Sequence, residues 1–317
     1  METKRIRIGS RESALAVAQS ELIIEEIKKV LPEAETELIT MKTTGDRILD
    51  RPLDLVGGKG LFVRELDLAL LSGSCDLTVH CVKDMPMETP EELPVLAYSR
   101  REDCRDVLVL RADLGELSEV KGRSVVIGTS SKRRRLQAEK LFPEAEFKGI
   151  RGNILTRLKK LDEGEYDALI LAAAGMIRLG LESRISRYFT VQEMIPAAGQ
   201  GILAVQGREA ARELAAGIDH RESRIYAEAE RTFVKVLDGG CSAPTACSAR
   251  MEEGMLILTG LCWDEPTGEY LTGELSGSPD RAAALGTELA GLLREALEKR
   301  LKQSSENCSG RTQQEEP

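Results

Sequence analysis

Ser124-Val-Val-Ile-Gly-Thr-Ser-Ser-Lys-Arg-Arg134 runs from an apolar strand directly into a polar turn and the start of a helix. This unit predicts an open, mostly parallel α/β sheet with helices on both faces. Free backbone N–H groups at the helix start, beside hydroxyl groups and arginines, form an anion site. The alternative is an N-cap followed by a solvated basic turn. Three consecutive basic residues oppose the helix dipole, which favours the anion site.

Two further turns in the same part of the chain repeat this scheme. Lys148–Arg157 contains two arginines six residues apart at the start of a helix, and Ala174–Arg178 follows an apolar strand. All three turns follow the carboxyl ends of strands, where open α/β sheets bind their ligands. One such turn is weak evidence, but three together predict a cleft for a ligand with several carboxylates or phosphates. Arg11, after the first strand, is the corresponding basic residue in the other lobe.

Strand and helix patterns alternate twice along the chain. Residues 4–99 follow a β-α-β-α-β order, and residues 107–172 restart it as a second α/β unit. The apolar segment 202–205 is expected to return as a strand to the first unit. A chain that crosses twice between two lobes forms a hinge with a cleft between them. After about Arg221, a helix, an antiparallel meander and a last helix at 280–301 predict a small α+β domain.

The predicted fold class is therefore α/β, with two doubly wound lobes joined by hinge crossovers and a small α+β C-terminal domain. The predicted boundaries are residues 1–100 with 198–220 for lobe 1, 101–197 for lobe 2, 221–302 for the C-terminal domain and 303–317 for a polar, disordered tail.

Composition and charge limit the functional classes. Aromatic residues make up only 3% of the chain, so base stacking is not a general strategy, and a net charge of −9 argues weakly against nucleic-acid binding. Seven cysteines without a CxxC pair, and two histidines, provide no zinc ligand set and fit a reducing compartment. No signal-like region and no apolar stretch near the about 20 residues that span a bilayer are present. We therefore expect a soluble cytoplasmic protein without metal, nucleic acid or membrane partners.

The segment Asp238-Gly-Gly-Cys241, followed by Pro244, ends a helix-like run at a thiol. Two glycines permit positive φ and leave room beside the sulfur, and Pro244 prevents the helix from resuming. Taken alone, this spacing favours a C-capped helix with a small buried cysteine, because free cysteine is usually a small hydrophobe. The functional alternative is a thiol on a stiff, uncrowded loop to which a bulky group is attached.

Lys83 and Asp84 follow another predicted strand. One interpretation is a surface ion pair, and the other is a carboxylate that points into the cleft and stabilises a developing cation. Gly57-Gly-Lys-Gly60 lacks the P-loop pattern and follows no strand, so a mobile lid at about 46–60 is predicted instead of a phosphate loop. Pro196–Gly201 leads into the returning strand as hinge and wall.

Seven motifs, in chain order from about residue 4 to 300, closely resemble the hydroxymethylbilane synthase (porphobilinogen deaminase) family. They are Arg7-Ile-Gly-Ser-Arg-Glu-Ser-Ala-Leu-Ala16, Gly57-Gly-Lys-Gly-Leu-Phe-Val-Arg-Glu-Leu66, Val79-His-Cys-Val-Lys-Asp84, Gly128-Thr-Ser-Ser-Lys-Arg-Arg134, Arg151-Gly-Asn153, Pro196-Ala-Ala-Gly-Gln-Gly201 and Asp238-Gly-Gly-Cys241. The resemblance implies two lobes like those of periplasmic binding proteins, a third domain and a monomer. It also implies a transferase that condenses four porphobilinogen molecules, with loss of ammonia, into the linear tetrapyrrole hydroxymethylbilane.

The resemblance assigns roles to particular residues. It implies one dipyrromethane cofactor per chain, joined to Cys241 by a thioether, and it makes Asp84 the catalytic carboxylate. Loss of ammonia leaves an azafulvenium cation, which an ionised aspartate hydrogen-bonded to the pyrrole N–H stabilises. The implied cofactor-binding residues are Cys241, Lys83, Asp84, Ser13, Thr129, Ser131, Arg133, Arg134, Arg151 and Gly152. The implied substrate-binding residues are Arg11, Arg157, Arg178, Gln200, Lys59 and Phe62.

The chain departs from the usual family pattern without losing an implied catalytic or anchoring group. Cys81 replaces a common serine and puts a second thiol near the expected site, while Lys132 replaces an apolar residue and either adds charge to the anion site or faces solvent. A non-enzymatic two-lobed protein that binds or senses small anions is the remaining alternative. The missing export signal, the missing helix-turn-helix and the third domain with Gly-Gly-Cys argue against it.

Overall fold

The computed structural model describes residues 5–47, 63–238 and 244–311 of the chain. The strands of this described part are β1 (Arg5–Arg11), β2 (Glu35–Met41), β3 (Leu77–Cys81), β4 (Val95–Tyr98), β5 (Asp106–Leu110), β6 (Val126–Gly128), β7 (Glu146–Lys148), β8 (Ala168–Ala172), β9 (Arg187–Tyr188), β10 (Leu203–Gly207), β11 (Ala246–Glu252), β12 (Met255–Trp263) and β13 (Tyr270–Gly277). The α-helices are α1 (Ala14–Val30), α2 (Thr44–Arg47), α3 (Arg64–Leu71), α4 (Lys132–Leu141), α5 (Ile154–Asp162), α6 (Ala173–Arg178), α7 (Arg212–Ala215), α8 (Arg221–Val236) and α9 (Ala282–Arg311).

Two five-stranded sheets form the two lobes, which confirms the predicted α/β fold class. Their strand orders are β2-β1-β3-β10-β4 and β7-β6-β8-β5-β9. The predicted return of segment 202–205 to the first unit is confirmed, because β10 lies between β3 and β4. Both sheets are less parallel than the pattern predicts. In the first, β10 crosses back from the second lobe and runs antiparallel to both neighbours; in the second, β5 is antiparallel to β8 and β9.

Each lobe has its own apolar core. In the first lobe, Ile6 and Ile8 of β1 pack with Ile23 and Ile27 of α1, which lie one helical turn apart on one face. Burying one such side chain contributes about 1.5–3 kcal/mol to folding. In the second lobe, all five residues of β8 are buried, as expected for a strand with helices on both sides.

The C-terminal domain is a three-stranded antiparallel sheet, β11-β12-β13, that packs against α8 and α9. Phe233 of α8 and Leu289 of α9 lie in its core. The predicted turn at Glu253-Gly254 is present, with φ angles of 49° and 78°. The predicted antiparallel meander and the α+β class of this domain agree with the structure.

The last helix extends beyond its predicted end near Leu301. It continues to Arg311, so segment 303–311, predicted as disordered tail, is helical, while 312–317 lie outside the described residues. The apolar periodicity that sets the predicted end stops at Leu301. The residues from 303 to 311 show no apolar stripe at helical spacing, so the pattern does not mark the longer helix.

A buried ion pair joins both crossovers between the lobes to the C-terminal domain. Glu230 of α8 is fully buried and accepts hydrogen bonds from Arg101 Nη1, the Gly199 N–H and the Ala249 N–H, each at 2.6 Å. Arg101 lies in the first crossover and donates from Nε to the carbonyl of Gln200 in the second at 2.9 Å. A buried charge left without its partner is strongly destabilising, so this pair fixes the hinge geometry.

Candidate active site

The turn between β6 and α4 forms the predicted helix-start site. Ser131 is the N-cap of α4, because its Oγ accepts a hydrogen bond from the Arg134 N–H at 3.4 Å. Thr129 Oγ1 accepts from the Ser131 N–H at 3.3 Å. Ser130 Oγ donates to the Ile150 carbonyl at 2.7 Å and accepts from the Ile150 N–H at 2.9 Å. These bonds tie the first basic turn to the second.

Arg133 and Arg134 are both buried and share one carboxylate. Arg133 Nη1 lies 2.6 Å from Asp106 Oδ2, and Arg134 Nε lies 2.9 Å from Asp106 Oδ1. Burial alone would raise the pKa of Asp106, but the two guanidinium groups hold it well below its usual range. The pair is therefore neutralised in part by a carboxylate that belongs to the fold.

Asp106 is not among the site residues predicted from the sequence. A signal for it exists, because an acidic residue begins the otherwise apolar and fully buried strand β5. A buried carboxylate without a cationic partner is very costly, so this position predicts a cation nearby. The pattern does not say which of the chain's many arginines that cation is.

The second basic turn, between β7 and α5, carries Arg151, Gly152 and Arg157. Gly152 has a φ angle of +111°, and a Cβ there would lie 2.7 Å from Thr156, so the turn requires glycine. Arg157 Nε donates to the Gly152 carbonyl at 2.8 Å. Burial, with the charges of Arg134 and Arg151, lowers the pKa of Arg157 to about 10. The positive charges of these arginines repel one another, and an anionic ligand stabilises them.

The third basic turn ends at Arg178, the last residue of α6. Its Nη2 donates to the carbonyl of Gly201 at 2.5 Å, which connects this turn to the second crossover. Burial lowers the pKa of Arg178. All three predicted turns of lobe 2 therefore supply a cationic group on the side of the crossovers.

Lys83 and Asp84 lie in the short turn that follows β3 in the other lobe. Lys83 Nζ donates to Gln200 Oε1 at 3.3 Å, and burial lowers the pKa of this amine. Gln200 is 1% exposed and donates to Asp106 Oδ1 at 3.1 Å, so it connects Lys83 to the arginine pair. Asp84 is exposed, and its negative charge partly offsets the lowered pKa of Arg157. The carboxylate thus lies near the cations of lobe 2.

Arg11 and Ser13 lie where β1 ends and α1 begins. Ser13 is the N-cap of α1, since its Oγ accepts from the Ala16 N–H at 3.3 Å, and Arg11 is half-buried. The Cys81 thiol lies 3.1 Å from Gln19 Nε2, and burial raises the pKa of that thiol. Thiolate is the reactive form, so this environment makes Cys81 less reactive than a free surface cysteine.

Three of the predicted site residues, Lys59, Phe62 and Cys241, lie outside the described residues, as does the predicted lid segment from residue 48 onward. Helix α8 ends at Val236, close to the predicted end. Asp238, the last described residue before the Gly-Gly-Cys segment, has a φ angle of 53°, which no helical residue adopts. The helix therefore stops before the thiol, as the glycines predict.

The described segments contain neither a candidate metal cluster nor a candidate membrane-spanning helix. Residues 5–47, 63–238 and 244–311 contain no group of three or more His, Cys, Asp or Glu side chains placed to hold a metal ion. No helix in the same segments combines the length and the apolar character needed to cross a membrane.

The site as a whole sets a cationic surface of lobe 2 against one exposed carboxylate of lobe 1. Guanidinium groups form charge-assisted hydrogen bonds with carboxylates, so the lobe 2 surface suits a ligand with several acidic groups. A carboxylate held near such a ligand stabilises positive charge that develops on it. The arrangement therefore combines polyanion binding with stabilisation of a cationic intermediate.

Comparisons with known proteins identify the family of this chain. A family model described as the porphobilinogen deaminase dipyrromethane cofactor binding domain matches residues 6–216, and one described as the porphobilinogen deaminase C-terminal domain matches residues 225–295. The porphobilinogen deaminase of Ruminiclostridium cellulolyticum is 54% identical over 90% of this chain and 96% of its own, and that of Acetivibrio thermocellus is 50% identical over 90% and 97%. The periplasmic aliphatic sulphonate binding protein of Escherichia coli pairs with 93% of this chain and 88% of its own, at a TM-score of 0.40 and 12% identity. The chain belongs to the porphobilinogen deaminase family.

Proposed function

We propose that this chain is a hydroxymethylbilane synthase, a transferase that joins four porphobilinogen molecules head to tail, with loss of ammonia, into a linear tetrapyrrole. The observation that carries the proposal is the cationic surface of lobe 2 with Asp84 near it. Every pyrrole unit brings an acetate and a propionate, so a growing chain supplies the anions that this surface lacks. Binding them offsets the burial and the charge repulsion that together lower the pKa of Arg157 to about 10. Family membership supports the same reaction.

A dipyrromethane group fits the residues of lobe 2. Arg133 uses Nη1 for Asp106 and for the Ile195 carbonyl, and a guanidinium offers five N–H donors in all. We infer that these donors hold the cofactor's carboxylates together with the other residues that the resemblance implies. These are Lys83, Ser13, Thr129, Ser131, Arg134, Arg151 and Gly152. When bound, the group supplies the pyrrole carbon to which the first substrate is added.

Incoming substrate is proposed to bind through the remaining basic residues. Arg11 ends β1, Arg157 lies in α5 and Arg178 ends α6, so the three come from both lobes. Each charged hydrogen bond to a carboxylate contributes about 1.5–3 kcal/mol. Gln200, Lys59 and Phe62 complete the proposed substrate set. Of these, Gln200 acts from below the surface, because it is buried beside Lys83.

Asp84 is the proposed catalytic residue. Its carboxylate accepts a hydrogen bond from the substrate's pyrrole N–H and stabilises the cation that forms as ammonia leaves. The same oxygen can take part in proton movement when the attacking ring regains its aromaticity. The neighbouring cations supply the counter-charge that keeps the substrate's own carboxylates away from this reaction centre.

Cys241 is the proposed anchor, joined to the cofactor by a thioether. The end of α8 and the positive φ of Asp238 bring the chain out of the helix just before the two glycines. Glycine next to the sulfur leaves space for a pyrrole ring. We also propose, from the resemblance, that the protein is a cytoplasmic monomer.

A turnover assay with porphobilinogen tests the proposed reaction, and formation of hydroxymethylbilane is the expected result. The intact mass of the denatured protein tests the anchor, because the expected adduct disappears in Cys241→Ser. Asp84→Ala should lower the rate on the order of a hundredfold or more, the size seen when a group that stabilises transition-state charge is removed, while the protein stays folded. A chain without a Cys241-dependent adduct, without reaction to Ehrlich's aldehyde reagent and without turnover would instead be a non-enzymatic anion-binding protein.

A further inference from the structure

We propose that Arg231 is a positioning residue that fixes the Asp84 turn against helix α8; the proposal rests on the proposed function. Arg231 lies on α8, outside both α/β lobes. Its Nη1 donates to the Val82 carbonyl at 3.2 Å, and its Nη2 donates to the Pro86 carbonyl. These two carbonyls lie on either side of Asp84 in the sequence. One guanidinium thus donates hydrogen bonds to the backbone at both ends of the catalytic turn.

The turn depends on support from outside its own strand. Val82 and Met85 are 1% and 2% exposed, and they pack in one apolar cluster with Ala227 of α8. The Val82 N–H donates to the Ile202 carbonyl at 3.1 Å. The side chain of Asp84 itself is exposed. Its position therefore follows the backbone of the turn, which Arg231 helps to hold.

The residue type suits this role better than lysine does. A guanidinium is planar and presents donors on two terminal nitrogens in a fixed fork, whereas an ammonium is a single point donor on a flexible stem. Arg231 uses both nitrogens on two different carbonyls. A lysine at this position cannot reproduce that geometry.

Helix α8, which carries Arg231, also contacts both crossovers between the lobes. Glu230, the preceding residue, holds Arg101 and the Gly199 N–H of the two crossovers. Five residues after Arg231, α8 ends at Val236 and leads toward the Gly-Gly-Cys segment. The same helix therefore contacts both the crossovers and the catalytic turn. Within α8, Arg231 donates hydrogen bonds to the backbone on either side of Asp84.

Replacing Arg231 by a smaller side chain should not create a buried cavity. Its side chain is half-buried and lines a cleft of about 330 Å³ between lobe 1 and α8, together with Met87, Tyr98 and Arg224. Arg224 provides a matched control on the same helix and in the same cleft. It also donates to a lobe 1 carbonyl, that of Leu96, at 3.1 Å, and it contacts no part of the catalytic turn in the described structure.

The test compares Arg231→Gln, Arg231→Lys and Arg224→Gln with the wild-type chain, after cofactor loading has been checked by intact mass. We expect Arg231→Gln to lower kcat about tenfold to a hundredfold, the effect of misplacing a reacting group by about 1 Å, with cofactor loading and KM little changed. Arg231→Lys should fall between this variant and wild type. Arg224→Gln should retain the wild-type kcat, even where it lowers the melting temperature by a similar amount.

A double-variant cycle distinguishes a positioning role of Arg231 toward Asp84 from a purely structural role in holding α8 against lobe 1. If Arg231 acts through Asp84, then Arg231→Gln in an Asp84→Asn background should slow formation of the first enzyme–substrate adduct far less than it does alone. Equal slowing in both backgrounds, or a wild-type kcat in Arg231→Gln, would overturn the proposal. If Arg231→Gln does not fold, a wild-type kcat in Arg231→Lys overturns it. An inactive wild-type chain would instead refute the proposed function itself.

Discussion

Two sets of arginines in lobe 2 look alike in the sequence but have different partners in the structure. Arg133 and Arg134 are buried, and both form ion pairs with the carboxylate of Asp106, a residue of the same lobe. Arg157 and Arg178 donate instead to the backbone carbonyls of Gly152 and Gly201. A carbonyl satisfies a donor but does not neutralise its charge. The first set therefore contributes to folding as well as to the site, whereas the second keeps its charge for a ligand.

This difference predicts opposite consequences for the same kind of substitution. Disturbing the first set should cost stability, because a buried ion pair without one partner leaves an uncompensated charge. Disturbing the second set should cost function, because neither arginine forms an ion pair with a carboxylate of the described residues. Substitutions in each set, measured for both stability and activity, test whether the two sets differ in this way.

The largest expected effect is on Asp106. Replacing it as Asp106→Asn leaves Arg133 and Arg134 buried without their counter-charge, so we expect the free energy of unfolding to fall by about 3–5 kcal/mol. Urea denaturation at neutral pH, followed by circular dichroism, measures this change.

Asp113→Asn is the matched control for Asp106. It also removes a carboxylate that pairs with an arginine, Arg111, but its side chain is 66% exposed. Exposed pairs contribute about 0–1 kcal/mol, so the control should be close to wild type. Equal effects of the two substitutions would show that the arginine pair does not depend on Asp106.

The second prediction concerns Arg157. Arg157→Gln removes a charge that has no carboxylate partner in the described structure, and we expect kcat/KM to fall by the equivalent of about 1.5–3 kcal/mol, one charged hydrogen bond to substrate. The free energy of unfolding should change little, because burial and two neighbouring arginines already disfavour the charge. Steady-state kinetics and urea denaturation on the same preparation measure both quantities.

Lys159→Gln on the same helix controls for loss of a positive charge. Lys159 is exposed and pairs with Glu163 at 3.7 Å, away from the basic turn. Its removal should leave kcat/KM near the wild-type value. If Arg157→Gln lowered stability as much as Asp106→Asn, or left kcat/KM unchanged, the division between the two sets would be wrong.

Local signals in the sequence were enough to predict much of this arrangement. The N-caps Ser131 and Ser13, the glycine at 152 and the end of α8 before the two glycines all follow from short-range backbone chemistry. Strand and helix alternation also gave the two lobes and the return of β10. These features depend on residues that are neighbours in the chain, which is why pattern alone finds them.

Partners far apart in the chain could not be predicted in the same way. Asp106 and Arg133 are 27 residues apart, and Val82 and Arg231 are 149 apart. Such pairings are fixed by how the lobes and α8 pack, which no local propensity encodes. For the same reason, the direction of β10 and the role of Arg231 appeared only in the structure.

The third prediction is that low pH weakens the interaction of Arg133 and Arg134 with Asp106. The pKa of Asp106 is held below its unfolded value, so the stability it contributes is present above the unfolded pKa and is lost as pH falls. The stability gap between wild type and Asp106→Asn should therefore narrow by about 1 kcal/mol between pH 6 and pH 3. Urea midpoints across this range measure it, and subtracting the variant cancels the other carboxylates. A constant or widening gap would contradict the pairing.

The smallest expected effect belongs to Lys132, which begins α4 directly before Arg133 and is exposed. Lys132→Leu removes a cation from the first turn of a helix, which should stabilise the protein by about 0.3–1 kcal/mol because the helix dipole disfavours positive charge there. Surface charges are screened at physiological salt, so kcat/KM should change by less than about twofold. Arg135→Leu, one turn onward and paired with Glu139 at 2.8 Å, is the control. A rise in KM for Lys132→Leu alone, abolished by high salt, would instead place Lys132 with Arg157 and Arg178 among the cations kept for a ligand.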